Sequence, residues 1–187
     1  MKIEPTSKTL TRRAINPYFC YLCDHTRLCR KPKHTMKMTP KLMKHMMNFY
    51  PPYLGAGIKV EYINDDWREM RVSMKVRWYN RNYFGTHFGG SLYSMVDPHI
   101  CLMLTELMGR GYFVWDKAAD IDFIKATKNP ISATFTVTDS QLAAIKEATE
   151  GGEKYLPEFE VDIIDSEGEL VAKVNKTLYV RKKKPKS

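Results

Sequence analysis

The sequence predicts an α+β domain in which one curved antiparallel sheet wraps around a long helix. Three observations carry that prediction. After Gly90 an apolar run reaches Met108, with Leu92, Val96, Ile100, Met103, Leu104 and Leu107 at roughly helical spacing. Before it, Met70, Val72, Met74, Val76 and Trp78 alternate with Arg71, Ser73, Lys75 and Arg77, the period of a strand with one apolar face. After it come four more strand-like stretches punctuated by turn residues.

Residues 1–35 show little apolar periodicity and are broken by Pro5, Pro17 and Pro32, so they read as a basic extension outside the domain. The domain itself is expected over 36–182, with a basic tail at 183–187. Thr39 caps a first helix with Pro40 at its first position, and Pro51-Pro52 stops it. A strand begins at Gly57, turns at Asn64-Asp65-Asp66, and pairs with the alternating stretch 67–78 as a hairpin. The central helix ends at Gly109-Arg110-Gly111. Strands follow at 112–125 and 131–138, then a short helix at 140–149 capped by Asp139, then strands at 154–165 and 169–180. In the last of these Leu170, Ala172, Val174 and Lys176 share one face, which leaves the face assignment less clean.

The net charge of +9 is uneven. Residues 1–48 hold eleven Lys/Arg against Glu4 and Asp24, and 181–187 add five more; the stretch 49–180 carries fourteen basic and nineteen acidic side chains. The surplus therefore sits at the two ends, whereas a nucleic-acid-binding domain carries it on folded elements, so no nucleic acid partner is expected. No apolar run approaches the length of a membrane span, and no segment has the form of a signal peptide, so the protein is expected in the cytoplasm. Cys20, Cys23, Cys29 and His34 form C-x2-C-x5-C-x4-H, but one C-x2-C with these spacings matches no common zinc site, and reduced thiols are expected. Cys101 reads as a small core residue.

The chemistry points to the loop that enters the central helix. Asn82, His87, Gly89 and Gly90 lie there, and the carboxylate of Asp97 sits inside the apolar run. A helix start presents unpaired N–H groups and partial positive charge, which suits a developing oxyanion. Asp97 follows Gly90 by two helical turns, so both project from one face, enclosed by apolar neighbours. Pro98 has no N–H for the Ser94 carbonyl, so a kink is expected just after the carboxylate.

This order of elements, with this loop, resembles the hot-dog fold of the acyl-CoA thioesterases, in particular the PaaI-like branch and uncharacterised bacterial relatives. Asn82, Gly89-Gly90 and Asp97, with an Asn-to-Asp interval of fifteen, stand where that branch carries its Asn, glycine pair and helix Asp. The resemblance implies an acyl-CoA thioesterase in which Asp97 activates water or attacks the thioester carbonyl. The Gly89 N–H would polarise the carbonyl oxygen, and Asn82 would help place water or carboxylate. It also implies substrate contacts at Gly90 and His87, no cofactor and no metal. The site would form between the protomers of a homodimer or a dimer of dimers, with Asp116 and Lys117 as the polar candidates on the strand that reaches across. Many relatives read His-Gly-Gly, whereas Phe88 precedes the glycines here and His87 lies one residue earlier. Two other readings stand beside this one. A non-catalytic acyl- or acyl-CoA-binding hot-dog protein fits the displaced histidine, and a 3-hydroxyacyl-thioester dehydratase is echoed by Thr86-His87-Phe88.

Overall fold

The structure, a computed structural model, describes residues 38–184. The cysteine motif of the extension lies outside the described residues. Thr39 Oγ1 accepts the Leu42 N–H and opens α1 (Pro40–Asn48), as expected. Pro51-Pro52 does more than stop it: the pair opens a second helix, α2 (Pro51–Ala56), because the fixed φ of proline suits the first helical position. Gly57 ends α2 at φ 74° and leads into β1 (Ile58–Ile63), which pairs antiparallel with β2 (Glu69–Met74).

The alternation toward Trp78 does not continue the strand. Val76 is half-buried and Trp78 is 83% exposed, because Asn80 draws the chain out of the sheet. The buried Asn80 side chain donates to the Ala56 and Lys75 carbonyls and accepts the Arg77 N–H.

The central helix is not continuous. It forms α3 (Gly89–Ser94) and α4 (His99–Met108), separated by a turn over 95–98. Pro98 is the cause the sequence indicates: it has no N–H for Ser94, and the chain tightens so that both Val96 and Asp97 donate to the Tyr93 carbonyl. On α4, Ile100, Met103 and Leu104 are at most 1% exposed, and burial of each contributes about 1.5–3 kcal/mol. They join Met70, Val72, Phe135, Ile163, Val174 and Leu178 in one core.

The remaining elements are β3 (Tyr112–Phe123), β4 (Ile131–Thr136), α5 (Asp139–Ala148), β5 (Lys154–Tyr155), β6 (Glu158–Asp165) and β7 (Leu170–Lys182). The cap of α5 is Thr138, not Asp139: Thr138 and Gln141 form a reciprocal capping box, which leaves Asp139 in the first turn to pair with Arg68. The expected strand over 154–165 splits at Pro157, which lacks an N–H for the ladder. All pairs are antiparallel, in the order β1-β2-β4-β6-β7-β3, with β5 on β7. β3 is therefore an edge strand, paired only with β7 among the described residues. No helix among them is long and apolar enough to cross a membrane.

Candidate active site

Asp97 sits where the helix breaks, and it is not enclosed by apolar neighbours as the sequence suggested. Its side chain is 43% exposed and its partners are polar. The Tyr93 hydroxyl, one turn earlier, donates to Asp97 Oδ1 over 2.8 Å. Lys176, on β7, brings Nζ to 3.1 Å from the same Oδ1 and also donates to the Asp97 backbone carbonyl. Both side-chain donors fall on Oδ1, and Oδ2 accepts no hydrogen bond among the described residues. One oxygen is anchored twice and the other is open.

Lys176 has no exposed side-chain surface, and its Nζ also lies 2.7 Å from Asp116 Oδ1. Asp116 is on β3, opposite Leu178 of β7, and so shares a sheet face with Lys176 two residues away. Burial holds its carboxyl above the usual carboxylate range, with Lys176 opposing the shift and the Asp97 charge adding to it. Behind Asp97, His99 is fully buried, hydrogen-bonded through Nε2 to the Tyr53 hydroxyl at 3.1 Å and packed on the Phe135 ring. Burial, and then the Lys176 charge, press its pKa down to about 3, so it stands neutral at ordinary pH. Burial first, then Asp116, pushes the half-buried Cys101 thiol up to about 12, which leaves it inert as a nucleophile.

Asn82 serves its own loop. Its Oδ1 accepts the Phe84 and Thr86 N–H groups at 3.0 and 3.1 Å, and its Nδ2 donates to Thr86 Oγ1 and the His87 carbonyl at 2.8 and 3.1 Å. His87 is buried, and its Nε2–H donates to the Asn129 carbonyl over 2.8 Å. Burial lowers its pKa, so it too is a neutral, loop-holding histidine. The far end of that brace is Asp165, whose oxygens accept from Asn129 Nδ2 and from the Glu167 and Glu169 N–H groups.

Gly89 is the first residue of α3, and its N–H meets no acceptor among the described residues. A Cβ there would come to 3.2 Å from the Phe123 ring, which would have to shift by a few tenths of an ångström. Asn82, Thr86, His87, Gly89, Leu92 and Phe123 line an open pocket of about 390 Å³ together with residues 124–127 and Val171. Asp97 does not line this cavity. Gly90 is exposed, and the Phe88 ring lies over its Cα. Lys117 is the extra residue of a bulge in β3, between Asp116 and Ala118, and is exposed. The structure thus brings Asn82, His87 and Gly89 together on one cavity and Asp97 with Asp116 on one lysine, and leaves Lys117 with neither group.

The sequence model of a domain of unknown function, DUF4442, matches residues 39–180. The chain belongs to the DUF4442 family. No curated protein matches it in sequence. Among solved structures, the DUF4442 chain is similar to PA5026 of Pseudomonas aeruginosa, named a probable thioesterase, with TM-score 0.67 and 19% identity over 80% of this chain and 100% of that one. It is also similar to OLEI01261 of Chlorobaculum tepidum, of unknown function, with TM-score 0.62 and 17% identity over 78% and 98%. A third likeness is to the thioesterase HI1161 of Haemophilus influenzae, with TM-score 0.58 and 14% identity over 79% and 93%. The shared architecture is the hot-dog fold, as the sequence resemblance implied.

Within the DUF4442 domain, the residue that sequence reasoning passed over is Lys176. The signal was present: a lysine on the same strand face as Ala172 and Val174 is either exposed at an edge or buried with partners. Tyr93 carried the weaker signal of standing at i−4 from Asp97 on a helical pattern.

Proposed function

We propose that this DUF4442 domain hydrolyses acyl thioesters, acyl-CoA among them, in the cytoplasm, with Asp97 as base and the Gly89 N–H as oxyanion donor. The observation that carries the reading is the Asp97 carboxylate itself, with Oδ1 held by Tyr93 and Lys176 and Oδ2 open in a half-exposed side chain. Such a carboxylate is oriented without being used up. In the reaction, Oδ2 takes a proton from water as the water oxygen bonds to the thioester carbonyl carbon. The carbonyl oxygen, now negative, accepts the Gly89 N–H. Collapse breaks the C–S bond, and the departing thiolate takes the proton from Asp97 Oδ2, leaving as thiol beside the carboxylic acid and restoring the carboxylate.

The reading requires a second copy of the chain. Asp97 does not line the cavity of its own Asn82, His87 and Gly89, so a homodimer, or a dimer of such dimers, would bring Asp97 of one protomer to the cavity of the other. The edge of β3, unpaired among the described residues, offers the pairing surface, and the exposed Trp115, Phe123 and Ile124 on or beside it offer apolar area to bury. Solved structures of the same fold that are named thioesterases support the reaction class. In this arrangement Asn82 and His87 shape the cavity rather than act on the substrate.

The test is thiol release by the purified chain from short, long and aromatic acyl-CoAs, beside Asp97→Ala. Turnover of at least one substrate, reduced by roughly a hundredfold or more in the variant, is expected. Inertness across the panel, or an Asp97→Ala protein as active as wild type, would sink the proposal. One observation favours a second reading: Asn82 spends its side-chain hydrogen bonds inside its own loop. A non-catalytic acyl-binding protein would show acyl species retained in native mass spectra with no turnover.

A further inference from the structure

Three elements that are far apart in the chain converge on one nitrogen. The turn between α3 and α4 supplies Asp97, β3 supplies Asp116, and β7 supplies Lys176. A lysine without exposed surface is retained only if its ammonium is fully partnered. Its ammonium donates to the Asp97 carbonyl and to Asp97 Oδ1 at 3.1 Å, and it is ion-paired with Asp116 Oδ1 at 2.7 Å. The Asp97 carbonyl is available because the chain breaks there before α4.

A cap for a broken helix would need only one donor to that carbonyl. Lys176 instead grips the backbone and the side chain of the same residue, which fixes the Asp97 rotamer and decides which oxygen stays open. It also divides one positive charge between two carboxylates, so the cluster keeps a net negative charge, and Asp97 is not neutralised by a lysine of its own.

We infer that Lys176 is the positioning residue of this site: shared with Asp116, its ammonium anchors Asp97 Oδ1 so that Oδ2 is the oxygen presented to substrate. This rests on the proposed role of Asp97. Besides Lys176 and Asp116, the titratable groups around the cluster are Tyr93 of α3, His99 and Cys101 of α4, and Tyr53 of α2.

Two measurements test it. In Lys176→Met/Asp116→Asn the net charge is kept and the anchor is lost. Provided circular dichroism shows the native fold, kcat for the best acyl-CoA falls roughly tenfold to a hundredfold with KM unchanged, since binding is intact and orientation is not. A folded double variant with wild-type kcat overturns the inference. The second measurement needs no turnover: the Asp116 carboxyl is followed by carbon NMR in wild type and in Asp97→Asn. Its titration moves to lower pH in the variant, because the neighbouring negative charge is gone and Asp116 is then the one carboxylate paired with the ammonium. An unmoved titration shows that the ammonium is not shared and overturns the inference. If the wild type hydrolyses no thioester, the proposed function fails and the titration still decides the arrangement around Lys176; it decides equally if the double variant does not fold.

Discussion

The Tyr93 hydroxyl stands 2.8 Å from Asp97 Oδ1, one helical turn before it on the last intact turn of α3. The pair is local, four residues apart, and its geometry follows from the helix. Tyr93→Phe removes this donor and leaves the lysine contact in place. Thiol-release kinetics should show kcat reduced by about threefold to tenfold with KM unchanged, because one of two anchors on the same oxygen is lost. The stability cost, read from urea denaturation, should be about 1–2 kcal/mol, as for a hydrogen bond to a charged acceptor that is partly wet.

His99 gives the fold a pH dependence. Its pKa of about 3 in the folded chain lies below the ordinary 6.5, so unfolding takes up a proton at any pH between the two. The stability it contributes is fully present above about pH 6.5 and is lost as pH falls toward 3. The loss is on the order of a few kcal/mol. Denaturation midpoints collected down this range should fall more steeply for wild type than for His99→Gln, which has no proton to take up. Parallel slopes for the two proteins would contradict the assignment.

Gly57 joins α2 to β1 at φ 74°, and a Cβ there would lie 2.4 Å from Asn80 Nδ2. Gly57→Ala meets two penalties, the left-handed backbone and the displacement of Asn80 from the carbonyls of Ala56 and Lys75. The first alone costs about 1–2 kcal/mol. The urea midpoint should drop accordingly, whereas Gly55→Ala, with open space around the added methyl, should leave it unchanged or slightly raised.

These outcomes separate what neighbouring residues encode from what distant ones do. The cap at Thr39, the hairpin of β1 and β2, the helix entered through the glycine pair, and the break at Pro98 all follow from residues within a few positions of one another. Rules of spacing reach that far. The end of β2 did not follow, because Asn80 overrides the alternation by binding a carbonyl twenty-four residues back.

By itself, the sequence determined the order of elements, the hot-dog architecture that this order can form, and the Asn, glycine pair and Asp set along one loop and helix. Only the tertiary structure decided how they are placed. It turned Asn82 and His87 inward to hold their own loop, separated Asp97 from the cavity beside Gly89, and closed a lysine seventy-nine residues away onto that carboxylate. The reason is physical. Local pattern reports which groups can share a helix or a strand face, but whether a charge is buried, and with which partner, is set by packing between β3, β7 and the broken helix.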